Sequence, residues 1–596
     1  MIKGYTDTIL NENGVKEEYY VFCQVWKELT QHKTFDSYQF KSFNVVNGVR
    51  ELIHNINSYL NNLVATTHSI STVVAELLKA LSRDYVMSEK FPEIKNRLLS
   101  NLGKKRSSNS EFKALYFELC LYEKELKAKY DEELINCLID AVNNKENKKT
   151  ISLTSTFISR CVDNGWSTKS LFNKIDLKNG KDLKDFLNKI YNYPDQKYIV
   201  FFPFRLKVTP PSGKTKEEST TYIFEQLEKF QISVFDKTQI NHNYPQTEID
   251  KFNDKKYMVV SCMAKDFYSA SHIAIVSLSN VLNILSFFSA IEPWSINNSK
   301  WIVFNTESPF TKSFIPKDVY STYEYLDSSS IVYNRIEKLI NSDSTNSDLY
   351  QKLLSSFSYA NLSHVSMSVE EKYMNMWIAL ESLTRTESYD SIIGNILNCV
   401  PNACSLRYLY RNIRNFAEDC GRCEISLDFG ELKIDLQNSN KETIVSQMLN
   451  VIRQEELFSV LNERCKVCSL LSYRCKEIYD LVKDEYALIS HIKSHHTTVK
   501  WHLDRLYRIR NEIAHSALTQ QVSILRFTEH LYDYLATYIS EIVRFATVKD
   551  NLNFDELSTI INDNYCEFDF IASEKSLKNK KTLLGKLWTF GIMDFI

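Results

Sequence analysis

Apolar residues recur at three- and four-residue steps over most of the chain, the spacing of helices with one buried face. Within residues 1–150, Leu52, Ile56, Tyr59, Leu60 and Leu63 make one such stripe, and Leu115, Leu119, Tyr122 and Leu126 another. The polar run 143–149 predicts a domain boundary. Beyond it, over 151–350, the texture changes. Segments 198–208, 257–263 and 301–305 are β-branched and aromatic runs bounded by breakers, and predict strands. Segments 221–230 and 269–291 predict helices between them. Helical periodicity returns over 351–550, and alternating acidic and basic runs fill a tail at 551–596. The expected fold is mainly α with a mixed α/β middle region.

The most informative stripe lies at 499–519, where Leu503, Leu506, Ile509, Ile513 and Ala517 share one helical face. Off that face runs Arg510-Asn511-Glu512-Ile513-Ala514-His515. Asn511 and His515 are one turn apart and therefore neighbours. Arg510 is rotated by roughly 100° from Asn511, and its long side chain can swing back over the same groove. A cation, an amide and an imidazole thus converge. An imidazole can take the proton from a ribose 2′-hydroxyl or give one to the leaving 5′-oxygen. A guanidinium can grip the phosphate and stabilise the charge that develops on it. This chemistry needs no metal, because the nucleophile belongs to the substrate. The plainer alternative is a surface Arg and a satisfied His on an ordinary core helix.

Arg510-Asn511-x-x-x-His515 resembles the Arg-x(4–6)-His signature of HEPN ribonucleases, whose members often carry Asn after the Arg. A second segment, Met376-Trp377-Ile378-Ala379-Leu380-Glu381-Ser382-Leu383, resembles the first helix of the ApeA-like branch of that family, found in phage-defence proteins. The resemblance implies a C-terminal HEPN-type helical bundle within 351–550, centred on roughly 360–550. It implies a metal-independent endoribonuclease that leaves 2′,3′-cyclic phosphate and 5′-hydroxyl ends. Two such domains would pair in a homodimer, with both Arg/His sets lining one cleft. The setting it implies is antiviral abortive infection: a toxic effector that cuts RNA, tRNA among the candidates, after a phage-derived protein trigger. The regions 1–150 and 151–350 would then sense the trigger and restrain the nuclease. The alternative is a non-catalytic HEPN module that binds RNA or a protein partner. Arg510, Asn511 and His515 together favour the enzyme, since a scaffold has no need of all three.

Glu381 sits on the early helix, where it could orient the His or the 2′-hydroxyl. Arg385 lies four residues on, in the favourable order for a helix ion pair, so both roles stay open.

Composition narrows the picture further. A chain of 596 residues is too long for one core. Its 44% hydrophobic and 24% charged content is that of a soluble folded protein. Only 12 glycines occur, none between Gly213 and Gly394, which argues against Gly-rich nucleotide loops. Pro211-Ser212-Gly213-Lys214-Thr215 has the flavour of a phosphate loop. Yet Val208 stands where the pattern needs its first glycine, and Pro210 and Pro211 remove amide donors, so a plain loop is expected. The net charge of −2 provides no global attraction for nucleic acid, so RNA contact must rest on a local patch. No signal peptide opens the chain. The uncharged stretch 270–291 carries His272, Asn280, Asn283 and several serines, a poor lipid-facing span. A buried helix, a cytoplasmic location and no membrane partner are expected.

The 13 cysteines, without a secretory signal, read as thiols or metal ligands rather than disulfides. Cys420-Gly-Arg-Cys423 and Cys465-Lys-Val-Cys468 have the spacing of a structural Zn²⁺ site. Cys465, Cys468 and Cys475 equally fit a buried helical face, so zinc and core thiols are both open. Either would fasten the fold rather than do chemistry, and no clustered carboxylates point to a metal-dependent hydrolase. His495-His496-Thr497-Thr498 is expected to cap or link two helices. The loop 104–110 is expected to be a solvated turn. The tail's Lys575, Lys578, Lys580, Lys581 and Lys586, followed by Leu587, Trp588 and Phe590, would grip RNA or a partner, or pack on the domain.

Overall fold

The computed structural model describes residues 5–31, 42–63, 67–208, 213, 215–237, 256–288, 291, 300–308, 310–315, 334–337, 347–366, 368–386, 391–437, 441–516, 524–546 and 552–573. Of residues 347, 485, 515, 516, 525, 571 and 573 it describes the backbone alone. The basic tail and Ala517 lie outside the described residues.

Helices begin where the sequence supplies a cap. Asn44 accepts the amide of Asn47, whose side chain returns to the Asn44 amide, and so opens the helix Val45–Leu60. Ser108 and Glu111 make the same reciprocal pair ahead of Asn109–Asn143. These two helices pack with Tyr20–Thr30, His68–Arg83 and Asn147–Asp163 into a helical region. At its centre Trp26 is fully buried among Phe22, Phe157 and Phe186, and its indole N–H donates to the Leu171 carbonyl at 2.9 Å. The polar run 143–149 is the turn between two helices packed on each other, and helices continue to Leu183–Tyr191 before the first strand. That run ends one helix without ending the layer.

The middle region is an antiparallel sheet of five strands, β1 (Gln196–Pro203), β2 (Ile232–Asp236), β3 (Lys256–Ala264), β4 (Trp301–Asn305) and β5 (Thr311–Phe314), in the order β2-β3-β1-β4-β5. Val200 on the central strand faces Val260 on one side and Val303 on the other. The expected strand at 198–208 stops at Pro203, which has no amide to continue a ladder. Strands β2 and β5 were not expected: they are short edges, and Thr-Lys-Ser-Phe is too polar to announce itself.

Alternate residues of β1 face opposite ways. Tyr198, Val200 and Phe202 join the main core, while Phe201 joins Phe235, Tyr257 and Val259 in a small separate cluster. The helix Phe267–Phe287 covers the first face and packs mainly on β3. Asp266 caps it and also accepts from the amide and hydroxyl of Ser167, tying it to the helical region. Among the described residues this is the one helix long and apolar enough to cross a membrane, and half of its apolar window is buried within the protein. The helix Lys216–Lys229 begins at Thr215, whose capping partner Glu218 fills the start of the helix with a carboxylate. A phosphate would meet that negative charge.

The remainder is helical. Ser347–Val365 and Val369–Thr384 form a hairpin that packs on Ile524–Ala546. Ile392–Leu406 packs on Glu485–Ser516, Ile524–Ala546 and Phe554–Ser573. The link expected at His495–Thr498 is absent: Glu485–Ser516 is one continuous helix of 32 residues. No Gly or Pro interrupts it, and His495 and His496 are held in mid-helix against the rings of Tyr408 and Tyr565.

Candidate functional site

The Glu485–Ser516 helix, called the motif helix below, is fixed by its apolar stripe. Leu503 and Leu506 are fully buried, Ile509 is buried and Ile513 partly so. The neighbouring helix Val369–Thr384 grips the same turn. Tyr373 donates its hydroxyl proton to the Leu506 carbonyl at 2.5 Å, and the ring of Trp377 lies 5.7 Å from that of Tyr507. The Trp377 indole then donates to Glu381 at 3.2 Å. Among the described residues, Glu381 makes neither an ion pair with Arg385 nor a contact with Arg510, and Arg385 is exposed.

One turn further on, Arg510 Nη1 donates to Asn511 Oδ1 at 3.2 Å. The Arg510 Nε is buried and, among the described residues, meets no hydrogen-bond acceptor. Leaving a buried donor unmet costs about 1–3 kcal/mol, so this guanidinium is set to donate to an anionic oxygen. The side chain of His515 lies outside the described residues, but its backbone is helical. Helical register puts position 515 on the side that carries 508, 511 and 512.

That side of the motif helix is walled by the N-terminal helical region. Arg505 Nε lies 2.9 Å from Glu51 Oε2, and Arg505 also pairs with Glu76. Arg508 Nη2 lies 2.6 Å from Glu51 Oε1, and its other nitrogen pairs with Asp504. Burial alone would raise the Glu51 carboxyl, but Arg505 and Arg508 overcome it and hold the group below the usual range. Glu76 goes the other way, raised because burial outweighs its one arginine partner. Nearer the motif, His54 Nε2 lies 3.2 Å from Glu512 Oε1, and this hydrogen bond raises the imidazole pKa against desolvation. A cavity of about 420 Å³ opens here, with Phe43, Arg50, His54, Arg508, Glu512 and Phe527 in its lining. Sequence reasoning missed this wall because its partners are distant; Glu51 and Arg505 are 454 residues apart. Only the Asp504/Arg508 spacing, one helical turn, hinted at it.

The two Cys-x-x-Cys segments, far apart in sequence, are brought together. All four thiols are buried and free of disulfides. Cys423 bonds with Cys468, and Cys420 with Cys465, which also reaches Cys475. The bond from Cys468 lowers the Cys423 thiol, and burial raises that of Cys420. Four thiols from two segments are the donor set that Zn²⁺ takes in structural sites. Among the described residues, however, no three His, Cys, Asp or Glu side chains close around a common point. Elsewhere on the motif helix, His502 Nδ1 lies 2.7 Å from the Tyr534 hydroxyl and its Nε2 3.2 Å from His530 Nδ1. Burial holds His530 well below the usual imidazole range.

No family model, curated protein or solved structure matches this chain.

Proposed function

We propose that the chain is a metal-independent RNA endonuclease of the HEPN type, the effector of antiviral abortive infection in the cytoplasm. The reading rests on one observation above others: Arg510 is bonded to Asn511 with a buried Nε–H that meets no acceptor among the described residues, on a helix that carries His515 one turn beyond Asn511. The Arg510 fork would hold the scissile phosphate and stabilise its extra charge. His515 would take the 2′-hydroxyl proton as that oxygen attacks phosphorus, and Asn511 would fix the orientation of the Arg. Glu381, tied to Trp377, would brace the neighbouring helix rather than meet the substrate. The C-terminal helices would form the HEPN bundle and pair in a homodimer. The N-terminal and middle regions would answer a phage-derived protein trigger, and tRNA is a candidate substrate. Cys420, Cys423, Cys465 and Cys468 would fasten the fold away from the chemistry, either as buried core thiols or around one structural zinc ion.

The experiment is incubation of purified full-length protein with total RNA and with tRNA in EDTA. Fragments ending in 2′,3′-cyclic phosphate and 5′-hydroxyl groups are expected, and 2′-deoxyribose at the cut should block cleavage. Metal-dependent cleavage, or 3′-hydroxyl ends, would overturn this reading. The second reading is a non-catalytic HEPN module that binds RNA or a protein. The His54–Glu512 contact favours it, because it places another helix over the motif turn. RNA binding without fragments would establish it.

A further inference from the structure

Cleavage by a 2′-hydroxyl moves two protons: one leaves the nucleophile and one reaches the departing 5′-oxygen. The Arg-x-x-x-x-His motif supplies one imidazole. The other described histidines near the motif helix are mostly engaged: His496 is stacked on Tyr565 and bonded to Asn402, and His502 and His530 are bonded to each other. His68 meets Asp504, nearly three turns before His515. His54 is different. It meets Glu512, three residues before His515, where Cβ atoms on one helix face are ~5–6 Å apart.

Resting on the ribonuclease reading, we propose that His54 is the second proton-transfer group, with the nucleotide 3′ to the cut seated in the cavity that His54, Arg50 and Arg508 line. His515 removes the 2′-hydroxyl proton, the 2′-oxygen–phosphorus bond forms, and the phosphorus–5′-oxygen bond breaks. His54 gives its proton to that 5′-oxygen. The two imidazoles end with exchanged protonation and are reset by water.

Three observations carry this. The His54 side chain is 62% exposed, so a substrate can reach it, whereas the docking cluster of Arg505 with Glu51 and Glu76 is largely buried. An exposed pair adds little to docking. The Glu512 carboxylate orients the ring and favours its charged form, the form an acid must have. Arg50 and Arg508 line the same cavity, where a phosphate would share them with their carboxylate partners, Glu123 for Arg50 and Glu51 and Asp504 for Arg508. The charged groups that line the cavity with His54 are Arg50 and Glu51 on its own helix, Arg505, Arg508 and Glu512 on the motif helix, Arg526 on Ile524–Ala546 and Asp163 on Asn147–Asp163.

The test uses the full chain and RNA with one 5′-bridging sulfur at the cut, whose thiolate leaves without a proton. His54→Ala and His54→Gln should cut ordinary RNA about 10²–10⁴-fold more slowly. Both should cut the sulfur linkage within a few-fold of wild type, whereas His515→Ala should be slow on both. Glu512→Gln should move the high-pH limb of the rate profile to lower pH. Equal losses on both linkages would make His54 merely structural and overturn the proposal. So would full activity of both His54 variants, with the ribonuclease reading intact. Wild-type protein that cuts neither RNA would overturn both readings together.

Discussion

Glu51 accepts a charge-assisted hydrogen bond from Arg508 at 2.6 Å, two residues before Arg510 and 457 residues away along the chain. The N-terminal helical region is thereby fastened to the helix that carries the candidate site.

Removing that carboxylate leaves Arg505 and Arg508 with less compensation in a largely buried setting. Glu51→Ala should cost about 3–5 kcal/mol, the usual loss when one partner of a buried pair is deleted. Urea unfolding measures it. The double variant with Arg505→Ala should lose less than the two single losses together, because the residues share one network. Losses under about 0.5 kcal/mol, as for an exposed surface site, would show that the cluster is not what joins the regions.

Stability should fall on acidification. Desolvation holds His272 and His496 at about 4, and holds His530 well below the usual imidazole range. Each is therefore neutral when folded but protonates when unfolded. The stability each confers is fully present above the unfolded value of about 6.5 and is lost as pH falls below it. The slope is about 1.4 kcal/mol per pH unit for each histidine. Urea midpoints at pH 7.5 and pH 5 give the comparison. A flat profile would mean that these rings titrate in the folded protein as they do unfolded, open to solvent.

What could be read from the sequence was what depends on neighbours in sequence. The stripe of Leu503, Leu506 and Ile509 and the strand 257–263 follow from local spacing. Strand β5, Thr-Lys-Ser-Phe, did not, since an edge strand needs few apolar residues. His495–Thr498 looked like a link because polar residues cluster there; tertiary contacts with Tyr408 and Tyr565 keep it helical. The wall of Glu51, His54 and Glu76 was invisible because its meaning lies in Arg505, Arg508 and Glu512.

The paired thiols give a further prediction. Metal analysis of purified protein should find about one zinc ion per chain, as a four-thiolate structural site requires. Cys423→Ser and Cys468→Ser should each lose the ion and lower the melting temperature, since metal binding is coupled to folding. Zinc-free protein with an unchanged melting temperature would return these thiols to the apolar core.

The central claim turns on His515. With wild-type protein cutting RNA in EDTA, His515→Ala should lower the rate by roughly 10²–10⁴-fold while leaving the fold intact. Arg510→Ala should lose at least as much, and Arg510→Lys should recover only part, because an ammonium cannot reproduce the planar fork. Asn511→Ala should fall between wild type and these variants. The decisive measurement is the single-turnover rate of folded His515→Ala on an RNA that wild type cleaves. A loss of at least a hundredfold is the predicted result; an undiminished rate would contradict the account.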